Sequence, residues 1–147
     1  MDEKSVKQTA EKLLSQLDIK SDVKVEITED SYNLFLESED NALIIGKHGN
    51  TLSSFELILA LMLAKKQGEY KRVIIEVGGY RKEREEYLKQ LAERLKESVV
   101  ATGYEKTIRG LKPWERRLVH IFLKDDSDVA TESTGEGNDR VLVIKKK

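Results

Sequence analysis

The sequence predicts an α+β chain built as two small modules, α-β-β-α-α-β over residues 1–78 and α-β-α-β-β over residues 79–147. Three observations carry that expectation. Apolar residues switch repeatedly between the spacing of a helix face and the alternation of a half-buried strand. Gly78-Gly79 follows a β-branched run where the charge balance changes: residues 1–77 hold 10 Lys and Arg against 14 Asp and Glu, and residues 78–147 hold 16 against 13. Finally, 147 residues at 39% hydrophobic content can fill one or two small cores, and with aromatics at only 6% those cores are aliphatic.

In the first module, Val6, Ala10, Leu13, Leu14 and Leu17 form one stripe of an amphipathic helix. Val23, Val25 and Ile27 alternate with polar residues, Glu29-Asp30-Ser31 supplies a turn, and Tyr32, Leu34 and Leu36 alternate again, so the pair reads as a hairpin. Ala42 to Ile45 is a short apolar turn leading into Gly46-Lys47-His48-Gly49. A helix over residues 51–66 places Leu52, Phe55, Leu59 and Met62 on one side. Its later part is apolar all round, which predicts the most buried helix of the module. Residues 72–77 close the module as a β-branched strand.

The second module opens with a long helix over residues 80–101 whose inner stripe is Tyr87, Leu88, Leu91, Leu95 and Val99, with Thr102-Gly103 as its stop. Residues 106–111 form a short strand. Pro113, the only proline, suits the first turn of a helix over residues 114–123, and Asp125 to Asp128 break it. Residues 129–134 and 140–144 are strands around a turn at Gly135 to Asn138.

Composition excludes several classes of function. With 26 basic and 27 acidic residues, bulk charge marks neither a nucleic-acid nor a membrane binder, so any polyanion site has to be local. Cysteine is absent, which removes disulfides, thiolate metal sites and cysteine nucleophiles and fits a reducing cytosol. The charged start is no secretory signal, and the longest apolar run, Leu57 to Ala64, is far short of the roughly 20 residues that span a bilayer. A cytoplasmic protein not embedded in a membrane is expected. The two histidines lie 72 positions apart in separate modules and Asp125, Asp126 and Asp128 read as a loop, so neither a histidine-pair nuclease nor a metal hydrolase is expected. The chain is expected to be no enzyme, with no cofactor, no metal and no small-molecule substrate.

The sharpest local feature is Ile44-Ile45-Gly46-Lys47-His48-Gly49 between two helices. Two glycines around two polar residues let backbone approach a ligand without Cβ interference. Amides opening the next helix favour phosphate, and Lys47 and His48 add charge-assisted contacts. A bare GxxG has a plain alternative, a tight helix–helix turn. Gly46-Lys47 is not a Walker A loop, because Asn41 and His48 stand where that motif needs Gly and Ser or Thr, and Arg140 stands where a dinucleotide fingerprint starting at Gly135 needs its third glycine. The hydrophobic lead-in, cationic middle and element order resemble a type II KH domain, whose GxxG loop clamps about four nucleotides of single-stranded backbone. Ile44, Ile45 and Leu52 are the expected apolar floor of its groove.

The second feature is Pro113-Trp114-Glu115-Arg116-Arg117-Leu118-Val119-His120. Arg116 and His120, four apart, share a helix face and can present a guanidinium fork and an imidazole to one phosphate. The bland alternative is a half-buried histidine capping a carbonyl. Arg117 lies about 100° round the helix and can pair with Glu115 or solvent. Trp114 is a core anchor or a rim aromatic, with core favoured. Further cations for a localised positive surface are Arg81, Lys82, Arg109, Lys112 and Arg140. Several of the charges after the junction, Arg81, Lys82 and Arg84, are expected only to form a solvated face beside Glu85 and Glu86.

A GKHG module, then Gly-Gly-Tyr-Arg-Lys-Glu-Arg-Glu from Gly78 to Glu85, then Pro-Trp-Glu-Arg-Arg-Leu-Val-His from Pro113 to His120 resembles the bacterial Jag family, also called KhpB or SpoIIIJ-associated proteins. Its second module is a small α/β domain named for an Arg-x-x-x-His pair, matched by Arg116 and His120. The resemblance covers nearly the whole chain. It implies binding of single-stranded RNA (with single-stranded DNA the neighbouring ligand), an RNA-chaperone or post-transcriptional role touching cell-wall synthesis and cell shape, and a small partner KH protein. It also implies a turn completing the phosphate pocket, a place that Ser133, Thr134 and Gly135 can fill. Many members carry an additional N-terminal Jag domain, and this chain starts almost directly at the KH helix, so a function located there, including contact with a membrane insertase, is not implied. The competing class is a protein-interaction adaptor associated with a membrane insertase or the division machinery, for which RNA is incidental.

Overall fold

The computed structural model describes residues 1–147, which form two compact units, Met1–Arg81 and Lys82–Lys147. The first contains α1 (Glu3–Gln16), β1 (Asp22–Ile27), β2 (Ser31–Glu37), α2 (Asn41–Ile45), α3 (Asn50–Gln67) and β3 (Arg72–Val77), in the predicted order. Helix α1 starts where Asp2 accepts a 2.8 Å hydrogen bond from the Ser5 amide, and it buries Val6, Ala10 and Leu14. The hairpin sets Val23 opposite Leu36, Val25 opposite Leu34 and Ile27 opposite Tyr32, so the apolar members face the helices together. Strand β2 is central, antiparallel to β1 and parallel to β3. Leu34 and Ile75, paired across β2 and β3, sit in the core with Leu59 and Leu63 of α3.

One expectation for this unit fails. Helix α3 is not buried all round: Leu52, Phe55, Leu59, Ala60 and Leu63 face the core, while Leu57, Ile58 and Leu61 are 54%, 48% and 55% exposed. A helix lying on a three-stranded sheet is covered along one stripe only, whatever its remaining side chains are.

Strand β3 ends at Val77, Gly78 and Gly79 turn with positive φ, and α4 (Tyr80–Thr102) begins. The second unit continues with β4 (Lys106–Ile108), α5 (Pro113–Leu123), β5 (Val129–Thr134) and β6 (Val141–Lys146). Its sheet runs β4-β6-β5, antiparallel throughout. Ile108, Leu142, Ile144 and Val129 turn inward against Leu88, Ala92 and Val99 of α4 and Val119 and Leu123 of α5. Tyr87, predicted on the inner stripe of α4, is instead half exposed with the Arg84 guanidinium 5.2 Å from its ring centre. Lys96 pairs with Asp126 at 2.6 Å, and Asp126 accepts from the amides of Asp128 and Val129, so α4 is tied to the turn leaving α5.

Candidate nucleic-acid interface

The GKHG segment is a backbone device before it is a charged one. Helix α2 ends at Ile45, Gly46 takes φ +70°, and Lys47–Gly49 make a single 3₁₀ turn in which His48 has φ +52° and Gly49 +77°. Both glycines are required from inside the unit. A methyl on Gly46 would overlap Thr51 Oγ1 and lie 2.6 Å from Thr51 Cβ, and one on Gly49 would press on the Tyr80 ring at 3.0 Å. The glycines therefore close the turn against Thr51 and Tyr80, and the side chains left outward are Lys47 and His48, both exposed.

The helix that follows is electrostatically incomplete. Helix α3 has 18 residues, and no side chain caps its N-terminus, where Gly49 stands at the cap position. Its first turn holds no acid, unlike α1 with Glu3, α4 with Glu83 and α5 with Glu115. Cations just before a helix N-terminus oppose the helix dipole, which favours an anion there. Lys47 and His48 beside the α3 amides accordingly make a site that a phosphate would stabilise.

The predicted apolar floor is corrected. Ile44 has no exposed surface and Leu52 almost none; both belong to the core and support the turn from beneath. Ile45 is partly buried against the same core. Arg81 is likewise no open cation. Its Nη2 lies 3.2 and 3.3 Å from the two Glu56 oxygens and its Nε 3.1 Å from Glu76. Glu56 also accepts the Ile75 amide at 3.1 Å, joining α3 to the free edge of β3. Burial pushes the Glu56 carboxyl above its ordinary value, with Arg81 opposing that shift.

In the second unit, Arg116 and His120 lie on successive turns of α5, each held at its base. Arg116 Nη1 donates to the Leu111 carbonyl at 2.7 Å, and His120 Nδ1 is 2.6 Å from Thr131 Oγ1 on β5. Glu115, 1% exposed, takes the Arg84 Nε at 2.9 Å and the Lys112 amide at 2.9 Å. The predicted Arg117–Glu115 pairing does not form, and Arg117 stays exposed. Nor is Arg84 part of a solvated face. Trp114 is only partly buried and stands outside the apolar cluster, so the buried anchor at this turn is the neighbouring acid. Among the other cations, Lys82 and Arg109 are exposed, Lys112 is partly buried, and Arg140 donates to the Gly135 carbonyl at 3.0 Å, bracing the β5–β6 turn. Thr131, which sequence reasoning missed, supplies the hydroxyl at the Arg–His pair; Ser133 shares its strand face two residues on, whereas Thr134 lies on the other face. A threonine in a strand is unremarkable by itself. Only the register of α5 on β5 brings Thr131 to His120. No group of three or more His, Asp and Glu is arranged to hold a metal ion, and no helix is long and apolar enough to cross a membrane.

Comparison with known proteins follows this division. Residues 4–77 match the KH domain of KhpA/KhpB, and residues 86–146 match the Arg-x-x-x-His domain. A protein of Clostridium symbiosum called RNA-binding protein KhpB is 32% identical over 139 residues, covering 93% of this chain and 63% of that protein. The RNA-binding protein KhpB of Bacillus subtilis strain 168 is 35% identical over 130 residues, covering 87% of this chain and 62% of that protein. The chain thus spans under two thirds of the length of these relatives. A KH module with a GKHG turn followed by an Arg-x-x-x-His module with its Arg116–His120 pair, in one order and over nearly all its residues, makes this chain a member of the KhpB family.

Proposed function

We propose that this chain binds single-stranded RNA through two phosphate-seeking sites, the GKHG turn of the KH module (residues 1–78) and the Arg116–His120 pair of the Arg-x-x-x-His module (residues 79–147). The observation that carries the reading is the α3 N-terminus, which has no side-chain cap and no acid in its first turn and is preceded by exposed Lys47 and His48. The relatives' name, RNA-binding protein KhpB, supports the same ligand. Gly46 and Gly49 set the turn, Lys47, His48 and the opening α3 amides take the backbone, and Ile45 borders the strand's path. Arg116 and His120 take a further phosphate, with Lys82, Arg109, Lys112 and Arg140 steering. The role is non-enzymatic and cytoplasmic, that of an RNA chaperone or post-transcriptional regulator serving cell-wall synthesis and cell shape, and single-stranded DNA is bound by the same backbone contacts.

Filter binding of single-stranded oligonucleotides across a salt series tests this. The expected result is a negative slope of log affinity on log salt, roughly 0.7 per phosphate neutralised. Salt-independent or absent binding would favour the adaptor reading. One observation speaks for a protein partner as well: Leu57, Ile58 and Leu61 on the outer side of α3 form an exposed apolar stripe, and a small partner KH protein is its proposed occupant. Ile58→Asp should then abolish complex formation, measured by light scattering, without lowering the thermal midpoint of the isolated chain.

A further inference from the structure

The two members of the Arg–His pair are chemically unequal. Arg116 carries a permanent charge, whereas what His120 offers depends on which ring nitrogen holds the proton. Nδ1 of His120 lies 2.6 Å from Thr131 Oγ1, and Thr131 makes no other side-chain hydrogen bond. Its hydroxyl is partly buried, on the β5 face that packs against α5, while His120 is exposed. A hydroxyl with one partner and little access to water satisfies its proton by donating it to that partner.

The geometry points to Thr131 as the positioning residue of this pair: its hydroxyl donates to Nδ1, keeps His120 in the tautomer with the proton on Nε2, and so makes the imidazole a neutral, oriented N–H donor to a phosphate oxygen. This rests on the RNA reading above. The surroundings agree with a ring that need not be charged. Its own helix brings Arg116, Arg117 and Lys124, all cations. The one titratable side chain of β5 is Glu132, which lies on the opposite strand face and is ion-paired with Lys145. From α4, Arg84 is committed to Glu115. No carboxylate faces the ring to favour an imidazolium. Within the site, Arg116 supplies charge and His120 supplies direction.

The test uses the full chain with Thr131→Val, which keeps the branched shape, and Thr131→Ser, which keeps the hydroxyl. Nitrogen-15 NMR of the RNA-free protein at about pH 8, above the ordinary imidazole range, should show Nε2–H in the unmodified chain and in Thr131→Ser, and a tautomer mixture in Thr131→Val. Affinity for a single-stranded oligouridylate should fall about five- to tenfold in Thr131→Val, the weight of one hydrogen bond, and return in Thr131→Ser. A neutral donor releases no counterion, so His120→Gln should weaken binding without flattening the salt slope, whereas Arg116→Ala should flatten it. An unchanged tautomer in Thr131→Val overturns the proposal, as does a tautomer change without loss of affinity or a His120→Gln slope matching that of Arg116→Ala. A correct tautomer signature in an unmodified chain that binds no oligonucleotide instead overturns the RNA reading.

Discussion

The two modules present cations to solvent by opposite means. In the KH module the backbone sets the geometry: Gly46 and Gly49 bend the chain against Thr51 and Tyr80, and Lys47 and His48 project from a turn that does not depend on them. In the Arg-x-x-x-His module the side chains are themselves held, Arg116 by the Leu111 carbonyl and His120 by Thr131, on a helix whose first turn rests on the buried Arg84–Glu115 pair. A backbone site tolerates substitution of its charged tips without unfolding. A side-chain site borrows its precision from interactions beneath it, so binding and stability are harder to separate there.

The largest expected effect breaks the side-chain site from below. Glu115→Ala leaves the Arg84 guanidinium, itself mostly buried, without its carboxylate and removes the acceptor of the Lys112 amide. Breaking one partner of a buried pair costs about 3–5 kcal/mol, to be read as a lowered denaturant midpoint. Wild-type stability would place the pair outside the foundations of α5.

The next prediction sharpens the other half of the comparison. Lys47→Asp with His48→Asp should lower RNA affinity roughly 100-fold, about 2.7 kcal/mol, while the thermal midpoint stays within a few degrees because neither side chain supports the turn. Unchanged filter-binding affinity would remove the KH turn from the interface. A smaller change is expected of Arg116→Ala: a several-fold loss of affinity and a salt slope flatter by about one contact. A collapse of thermal stability in that variant would make Arg116 structural.

The smallest effect is on acid stability. The Lys96 ammonium, then the Asp128 and Val129 amides, hold the Asp126 carboxyl below its ordinary value. A carboxyl depressed in the folded state contributes fully above its unfolded value and loses that contribution as pH falls through the depressed range. Asp126→Asn should therefore flatten the acid limb of a stability–pH curve below about pH 4 and alter the neutral midpoint little. An identical acid limb in the variant would show that this tie contributes nothing to folding.

Much of the molecule is legible in the sequence because much of it is local. Alternation at Val23, Val25 and Ile27 and at Tyr32, Leu34 and Leu36 fixes which strand face is buried, and the GKHG and Arg-x-x-x-His spacings place charges a turn apart without reference to distant residues. The errors fall where the partner is remote. Arg81 finds Glu56 25 residues away, Arg84 finds Glu115 31 residues away, and Thr131 meets His120 across a helix–strand contact. Helix α3 misled for a related reason: an apolar circumference states what can be buried, and the area of the layer beneath decides how much is.

Sequence alone thus determined the element order, the buried strand faces, the cationic turn between two helices and the arginine and histidine on one face of α5. Tertiary structure decided which cations remain open, which are neutralised by a carboxylate, and which nitrogen of His120 is held. Periodicity and turn chemistry act over a few residues and are written in the chain, whereas ion pairing and hydrogen-bond satisfaction act over a few ångströms and exist only once packing has brought distant residues together.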